Sequence, residues 1–143
     1  MTDEVLFDTN ILCYAYDSSE PTKREKSEEL VEQALQGRIR GVVSNQILVE
    51  LFNTLTRKMG VTDEKARIIV KTLIASEYLK KIEYTHETMN KALNNLDLSG
   101  APFLDILIAE TMKENGIKRI ITENERDFGR IRGIEVINPF KTQ

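Results

Sequence analysis

The stretch VLFDTNIL, residues 5–12, places a carboxylate at the end of an apolar run close to the N-terminus. The run EVLFD (4–8) is typical of a short buried strand. The following segment, TNILCYAY (9–16), predicts a short helix capped by Thr9 or Asn10. Asp8 would then stand at the tip of a strand, where an ionised group is costly unless it reaches water, a partner or a metal ion.

The same alternation of strand and helix continues along the chain. Four further strands are predicted at 40–44, 80–85, 118–122 and 134–138. Further helices are predicted at 21–36, 45–59, 63–76, 86–96 and 102–115. Ser44 and Thr62 are suitable caps for two of these helices, and Gly60 and Gly116 are suitable ends. Short apolar strands that alternate with helices indicate an α/β fold with a mostly parallel sheet. We expect a single domain over residues 1–143.

The composition limits the kinds of site and of partner. The chain has one cysteine, Cys13, and one histidine, which excludes an internal disulfide and a Cys/His zinc site. A lone cysteine fits a reducing cytoplasm, and we expect a cytoplasmic protein. No apolar run exceeds six residues, so no membrane span is expected. The net charge of −3 argues against a broad basic surface for nucleic acid. It allows an enzyme that meets phosphates through bound divalent cations.

Asp105 stands in an unusual environment for an acid. It lies in PFLDILIA, where the surrounding residues leave almost no polar face, as in a buried helix. The helix dipole stabilises an acid in the first turn by only about 0.3–1 kcal/mol, which is small beside the several kcal/mol that burying an ion costs. We therefore expect a cation beside Asp105. The alternative is an acid at a helix N-terminus that reaches solvent.

Two other segments carry acids or amides close to predicted strand ends. Glu50 lies in the apolar stretch NQILVELFNTL, less than two turns after the strand that ends at Ser44. The alternative for Glu50 is a boundary acid paired with a surface lysine or arginine. The segment TENERDF (122–128) leaves another strand end and carries Asn124 and Asp127. The alternative for this segment is an ordinary polar turn.

These acids share one predicted location. Ligands of parallel sheets bind beyond the carboxyl ends of the strands, and Asp8, Ser44 and Thr122 stand at such ends. Clustered carboxylates repel one another unless a divalent cation lies between them. Oxygen ligands favour Mg²⁺ or Mn²⁺ over zinc. Such ions lower the pKa of water and neutralise charge on a phosphodiester during its cleavage.

Four segments in series resemble the PIN-domain nucleases, and most closely their VapC-type toxin branch. They are FDTNIL, VELFNTL with Glu50, FLDILIAETM with Asp105, and ITENERDF. The resemblance covers nearly the whole chain, in the same order. It implies a three-layer α/β/α sandwich around a central, mostly parallel sheet. It also implies a Mg²⁺- or Mn²⁺-dependent endoribonuclease, a hydrolase that cleaves phosphodiester bonds in single-stranded or looped RNA.

The resemblance also assigns roles by matching position. Asp8, Glu50 and Asp105 would be the acidic metal ligands. Three polar residues would order the site, namely Thr9, Asn10 and Thr122. Family members commonly carry a fourth acid two residues after that threonine, where this chain has Asn124, and the next acid is Asp127. We include Asn124 and Asp127 in the predicted catalytic set, although an amide is a weaker, neutral ligand.

The VapC-type branch further implies a homodimer that is neutralised by a small antitoxin from the same operon. The helix pair within 45–76 is rich in apolar residues, which either complete the core or form an interface. Two other functions stay open from the sequence. One is a non-catalytic PIN-like scaffold that binds RNA or a partner, and the other is an RNA-processing nuclease without an antitoxin.

Overall fold

A five-stranded parallel sheet forms the centre of the computed structural model, which describes residues 3–141. The strands are β1 (Val5–Phe7), β2 (Gly41–Ser44), β3 (Lys80–Ile82), β4 (Arg119–Ile121) and β5 (Glu135–Ile137). Their order in the sheet is β3-β2-β1-β4-β5, and every neighbouring pair is parallel. The predicted parallel α/β fold is confirmed. The predicted domain ends at residues 1 and 143 lie outside the described residues.

Eight helices connect the strands within the described part of the chain. They are α1 (Thr9–Tyr14), α2 (Pro21–Leu35), α3 (Asn45–Arg57), α4 (Asp63–Ala75), α5 (His86–Asn94), α6 (Leu96–Ser99), α7 (Phe103–Glu114) and α8 (Glu125–Phe128). Each predicted helix is present and ends one or two residues earlier than predicted. The short helices α6 and α8 were not predicted, because four residues are too few to establish a helical period.

The helices form two groups around the sheet. Strands β1 to β3 progress towards one edge of the sheet, whereas β4 and β5 progress towards the other. Because crossovers between parallel strands are right-handed, α1 to α4 lie on one face and α5 to α8 on the opposite face. Within the groups, α3 packs against α1 and α4, and α5 packs against α7. This arrangement is the three-layer sandwich that the resemblance implied.

Local signals fix where several helices begin. The Ser44 hydroxyl accepts a hydrogen bond from the Ile47 amide at 3.1 Å, and the Thr62 hydroxyl accepts one from the Lys65 amide at 3.2 Å. Both predicted caps are confirmed. The prediction for α1 was wrong, because its cap is Asp8 itself, with extended backbone and a side chain that accepts from the Thr9 amide.

The core gathers around the two central strands. Val5, Leu6 and Phe7 of β1 are buried, as are all four residues of β2. On α7, every residue from Ile106 to Met112 is buried, as the apolar character of that helix predicted. A continuous apolar core on both faces of β1 holds the carboxyl end of this strand in place. In residues 3–141 there is no helix with the length and apolar character needed to span a membrane.

Candidate metal centre

The predicted site residues meet where the strand order reverses. This topological switch point lies between β1 and β4, and in open parallel sheets it opens a crevice at the carboxyl edge. Asp8 directly follows β1 and Thr122 directly follows β4. The Asp8 amide donates to the Ile121 carbonyl at 3.0 Å, which ties the two strand ends together.

Asp8 is 7% exposed and is surrounded by hydrogen-bond donors. Its Oδ1 accepts from the Thr9 amide at 2.8 Å. Its Oδ2 accepts from the Thr122 hydroxyl at 2.6 Å and from the Asn10 amide group at 3.2 Å. Burial raises the pKa of Asp8, the bonds from Thr122 and Thr9 oppose that rise, and the nearby charge of Glu50 adds to it. Thr9, Asn10 and Thr122 therefore all donate hydrogen bonds to the Asp8 carboxylate.

Glu50 projects from α3 towards the same crevice. Its Oε1 accepts from the Thr9 hydroxyl at 2.9 Å, and its Oε2 accepts from the Gln46 side chain at 3.3 Å. Within residues 3–141, Glu50 forms no ion pair with a lysine or arginine. The alternative of a surface pair for Glu50 was therefore wrong. Thr9 joins the Glu50 side chain to the helix that Asp8 caps.

Asp105 completes the group of acids from the other face of the sheet. It lies half-buried in the first turn of α7, and its Oδ2 accepts from the Asn124 side chain at 3.3 Å. Burial, followed by the charges of Asp8, Asp127 and Glu50, raises the pKa of Asp105 to about 6. Desolvation and the neighbouring carboxylates thus make the ionisation of Asp105 unfavourable. Its hydrogen-bonding partner is a neutral amide.

Asn124 links the segment after β4 to this group. Its backbone amide donates to the Thr122 hydroxyl at 2.9 Å, and its Oδ1 caps α8 by accepting from the Asp127 amide at 3.4 Å. The polar turn that was the alternative for 122–128 is in fact a strand end, a cap and a short helix that face the crevice. The side-chain nitrogen of Asn124 thus donates to Asp105, and its side-chain oxygen caps α8.

Several other contacts near the site were not among the predicted ones. Gln46 binds both Glu50 and the Leu104 carbonyl, the latter at 3.4 Å. The backbone amide of Glu123 donates to Asn10 Oδ1 at 3.3 Å. The Glu123 carboxylate accepts from the Tyr14 hydroxyl and from the Lys23 ammonium. The four-residue spacing of Gln46 and Glu50 on one helix is a usable local signal. Lys23 and Glu123 are 100 residues apart, so no local pattern could pair them.

The donor set suits a hard divalent cation, although it is not preassembled around one. In the described part of the chain, no three carboxylate, imidazole or thiol side chains form a ready-made metal group. Carboxylate oxygens are nevertheless the ligands that Mg²⁺ and Mn²⁺ prefer. Burial and then the charges of Asp8, Asp127 and Glu50 disfavour ionisation of Asp105, and a cation would relieve the repulsion between these carboxylates. In addition, Gln46 Oε1 is buried without a hydrogen-bond partner. The residues fit such an ion chemically.

Comparison with known proteins identifies the family. The model of the PIN domain family matches residues 5–134, which is most of the chain. The chain belongs to the PIN domain family. The match includes every residue of the predicted site and strands β1 to β4, and it ends at the residue before β5. No curated protein matches this PIN-domain chain significantly.

Solved structures of the same fold are similar to this PIN-domain protein at low sequence identity. VapC20 of Mycobacterium tuberculosis, a toxin that cleaves the sarcin–ricin loop, is 15% identical, with a TM-score of 0.67 over 85% of this chain and 91% of its own. A DNA-bound VapBC of Salmonella typhimurium is 22% identical, with a TM-score of 0.66 over 97% and 99% of the two chains. VapBC2 of Rickettsia felis, bound to a promoter DNA fragment, is 18% identical, with a TM-score of 0.68 over 94% and 98%. The predicted PIN-like architecture is confirmed.

Proposed function

We propose that this PIN-domain protein is a Mg²⁺- or Mn²⁺-dependent endoribonuclease that cleaves phosphodiester bonds in single-stranded or looped RNA. The observation that carries the proposal is the convergence of Asp8, Glu50 and Asp105 at the topological switch point, with a raised pKa at Asp105. These three acids come from the residue after β1, from α3 and from α7, so that helices on both faces of the sheet contribute. A structural role for three mutually repelling acids would require cationic partners, and the described residues provide none for Glu50.

In this proposal Asp8, Glu50 and Asp105 hold the metal ion, and Asn124 and Asp127 complete the catalytic set. When bound, the ion would polarise the phosphodiester and acidify a water molecule. Thr122, Asn10 and the Thr9 amide orient the Asp8 carboxylate and favour its ionised form through their hydrogen bonds.

The remaining contacts position the other two acids. The Thr9 hydroxyl and Gln46 hold the two oxygens of Glu50, one each. Asn124 donates to Asp105 Oδ2 and leaves Oδ1 without a partner in the described residues. Because Asn124 is neutral, it supports Asp105 without adding a further charge to an already crowded group. Asp127 contributes negative charge from α8, and that charge raises the pKa of Asp105.

We propose that the protein is the cytoplasmic toxin of a toxin–antitoxin pair and forms a homodimer. The similar VapC and VapBC structures support the assignment to the toxin class.

The apolar residues of α3 and α4 divide between core and surface. Ile69 and Leu73 are buried, whereas Val49, Ile68 and Ile74 are 62%, 60% and 54% exposed. Exposed apolar side chains on two neighbouring helices are typical of a surface that binds a partner. Sedimentation of the purified chain should give the mass of a dimer, and a monomer would contradict this part of the proposal.

The decisive experiment is cleavage of single-stranded RNA by the purified chain. Wild type and Asp8→Asn are compared with Mn²⁺, with Mg²⁺ and with EDTA. We expect wild type to cut only with metal, and Asp8→Asn to lose at least a hundredfold in rate, because one ligand of the ion becomes a neutral amide. Asp3→Asn is the matched control. Asp3 is exposed and precedes β1 at the opposite edge of the sheet, so this variant should cut like wild type.

Calorimetric titration with Mn²⁺ separates the alternatives. Metal binding that Asp8→Asn loses, with cleavage of the RNA pool, supports the nuclease. Cleavage that is equal in wild type and Asp8→Asn would refute the assigned centre. The absence of both cleavage and metal binding would favour the non-catalytic scaffold.

A further inference from the structure

Asp8 and Glu50 of the acidic group line a cleft that leads along α3 to a basic end. The cleft is open to solvent and has a volume of about 600 Å³. Asp8 and Glu50 line it at one end, and Arg57 and Lys58 line it at the other. Two of the three predicted metal ligands, Asp8 and Glu50, therefore lie in a groove that continues beyond the predicted centre.

The helix geometry explains this lining. One face of α3 carries the side chains of residues 50, 53, 54 and 57, because these positions follow the i, i+3, i+4, i+7 pattern of a helix. Asn53 and Thr54 line the cleft between Glu50 and the basic end. Seven residues at about 1.5 Å each place Arg57 roughly 10 Å along the helix from Glu50. The face thus changes from acidic through polar to basic in two turns.

The charges at the basic end are not neutralised by neighbouring acids. Within residues 3–141, neither Arg57 nor Lys58 forms an ion pair with a carboxylate. Both side chains are exposed, and Asp17 lies on the rim of the same cleft. Burial and nearby carboxylates raise the pKa of Cys13, on the cleft wall, to about 12, and the charge of Lys58 opposes that rise. Lys58 therefore lines the cleft without a carboxylate partner in the described residues.

Two explanations compete for this pair of cations. Cations near a helix C-terminus interact favourably with the helix dipole, and Arg57 ends α3. That role requires no cleft and no particular direction of the side chains. A second role follows from the polyanionic substrate of the proposed nuclease. Acids at the centre repel RNA, and the net charge of −3 offers no general attraction, so binding requires local cations along the path of the strand.

We propose that Arg57 and Lys58 bind backbone phosphate of the RNA strand beside the bond that is cut. The strand would run from the acidic group along the exposed face of α3. The side chains of Asn53 and Thr54 lie where they can meet ribose hydroxyls, the groups that distinguish RNA from DNA. This inference rests on the proposed function and adds the direction of the substrate to it.

The test compares two double variants with the same change of charge. Arg57→Gln/Lys58→Gln removes the basic end of the cleft. Arg38→Gln/Arg40→Gln removes two exposed arginines near the start of β2, at the opposite edge of the sheet. With RNA as substrate, we expect KM to rise about tenfold in the first variant with kcat within about twofold, and the second to resemble wild type. The melting temperatures of both variants exclude a loss of fold.

Salt dependence provides a readout that a purely structural role would not change. Binding of a fluorescein-labelled single-stranded RNA is measured in the Asp8→Asn background, which prevents cleavage. Each lost phosphate contact should reduce the slope of log K against log salt by about 0.7, hence by about 1.4 for the Arg57→Gln/Lys58→Gln pair. The Arg38→Gln/Arg40→Gln pair should leave the slope unchanged.

The outcomes distinguish this inference from the proposed function. Metal-dependent cleavage with an unchanged KM and slope in Arg57→Gln/Lys58→Gln would overturn the inference alone. A third double variant, Arg130→Gln/Arg132→Gln, alters two arginines in the loop after α8. If the slope of log K against log salt changes in this variant and not in Arg57→Gln/Lys58→Gln, the inference is overturned, because the RNA strand would then run towards that loop. A wild-type chain that neither cuts nor binds the RNA would overturn both.

Discussion

At the scale of single residues, the electrostatics of Asp105 predict that neutralising this acid preserves or raises the stability of the metal-free protein and lowers its activity. Asp105→Asn removes a charge that burial and neighbouring carboxylates disfavour. We expect the metal-free variant to be as stable as wild type or more stable by about 1–2 kcal/mol, after allowance for solvent screening. Cleavage should fall by at least a hundredfold. Urea unfolding in EDTA measures the first quantity, and a large loss of stability would show that Asp105 has a structural partner instead.

The same group predicts how stability depends on pH. The pKa of Asp105 is raised from 3.8 to about 6 in the folded protein, so the folded state favours the protonated acid. Its contribution to stability is therefore present below about pH 4 and is lost as the pH rises through about 6. The difference in unfolding free energy between Asp105→Asn and wild type, measured in EDTA, should grow over that interval. A difference that does not change with pH would contradict the shifted pKa.

At the scale of elements, one hydroxyl adds a side-chain link between the ends of β1 and β4. Thr122 is fully buried, donates to Asp8 at 2.6 Å and accepts from the Asn124 amide at 2.9 Å. Thr122→Val has nearly the same shape and leaves these polar groups without their partner. We expect it to cost about 1–3 kcal/mol in stability. Thr122→Ser keeps the hydroxyl and is the control, to be compared by urea unfolding. Equal stability of the valine variant and wild type would show that the hydroxyl does not hold β1 and β4 together.

Elements also show how much the sequence could predict. The runs around Val42 and Ile120 predicted strands, and Ser44 and Thr62 predicted caps, because these signals lie within a few residues of one another. The location of Asp8, Glu50 and Asp105 at one edge also followed from the general rule on strand ends. The capping of α1 by Asp8 was missed, because the same side chain also served as a candidate metal ligand.

The contacts that the sequence could not predict join distant segments. Glu123 binds Tyr14 and Lys23 across about a hundred residues, and Gln46 reaches the Leu104 carbonyl across α3 and α7. Such pairs depend on how the crossovers place whole helices, which no local period encodes. The helical period of α3 places Arg57 on the same face as Glu50, but only the folded cleft connects Arg57 and Lys58 to Asp8.

At the scale of the whole molecule, metal binding should be coupled to folding. A ligand that binds only the folded state stabilises it by RT ln(1 + [L]/Kd), or about 2.7 kcal/mol at a concentration of 100 Kd. The acids come from the residue after β1, from α3 and from α7, so one ion would link elements on both faces of the sheet. We therefore expect Mn²⁺ to raise the melting temperature of wild type and of Asp3→Asn in a concentration-dependent manner, and EDTA to reverse the rise. In Asp8→Asn and Asp105→Asn the rise should be small, because each variant has lost one charged ligand. Differential scanning fluorimetry over a Mn²⁺ series measures this coupling. An equal rise in all four proteins would place the ion elsewhere on the molecule.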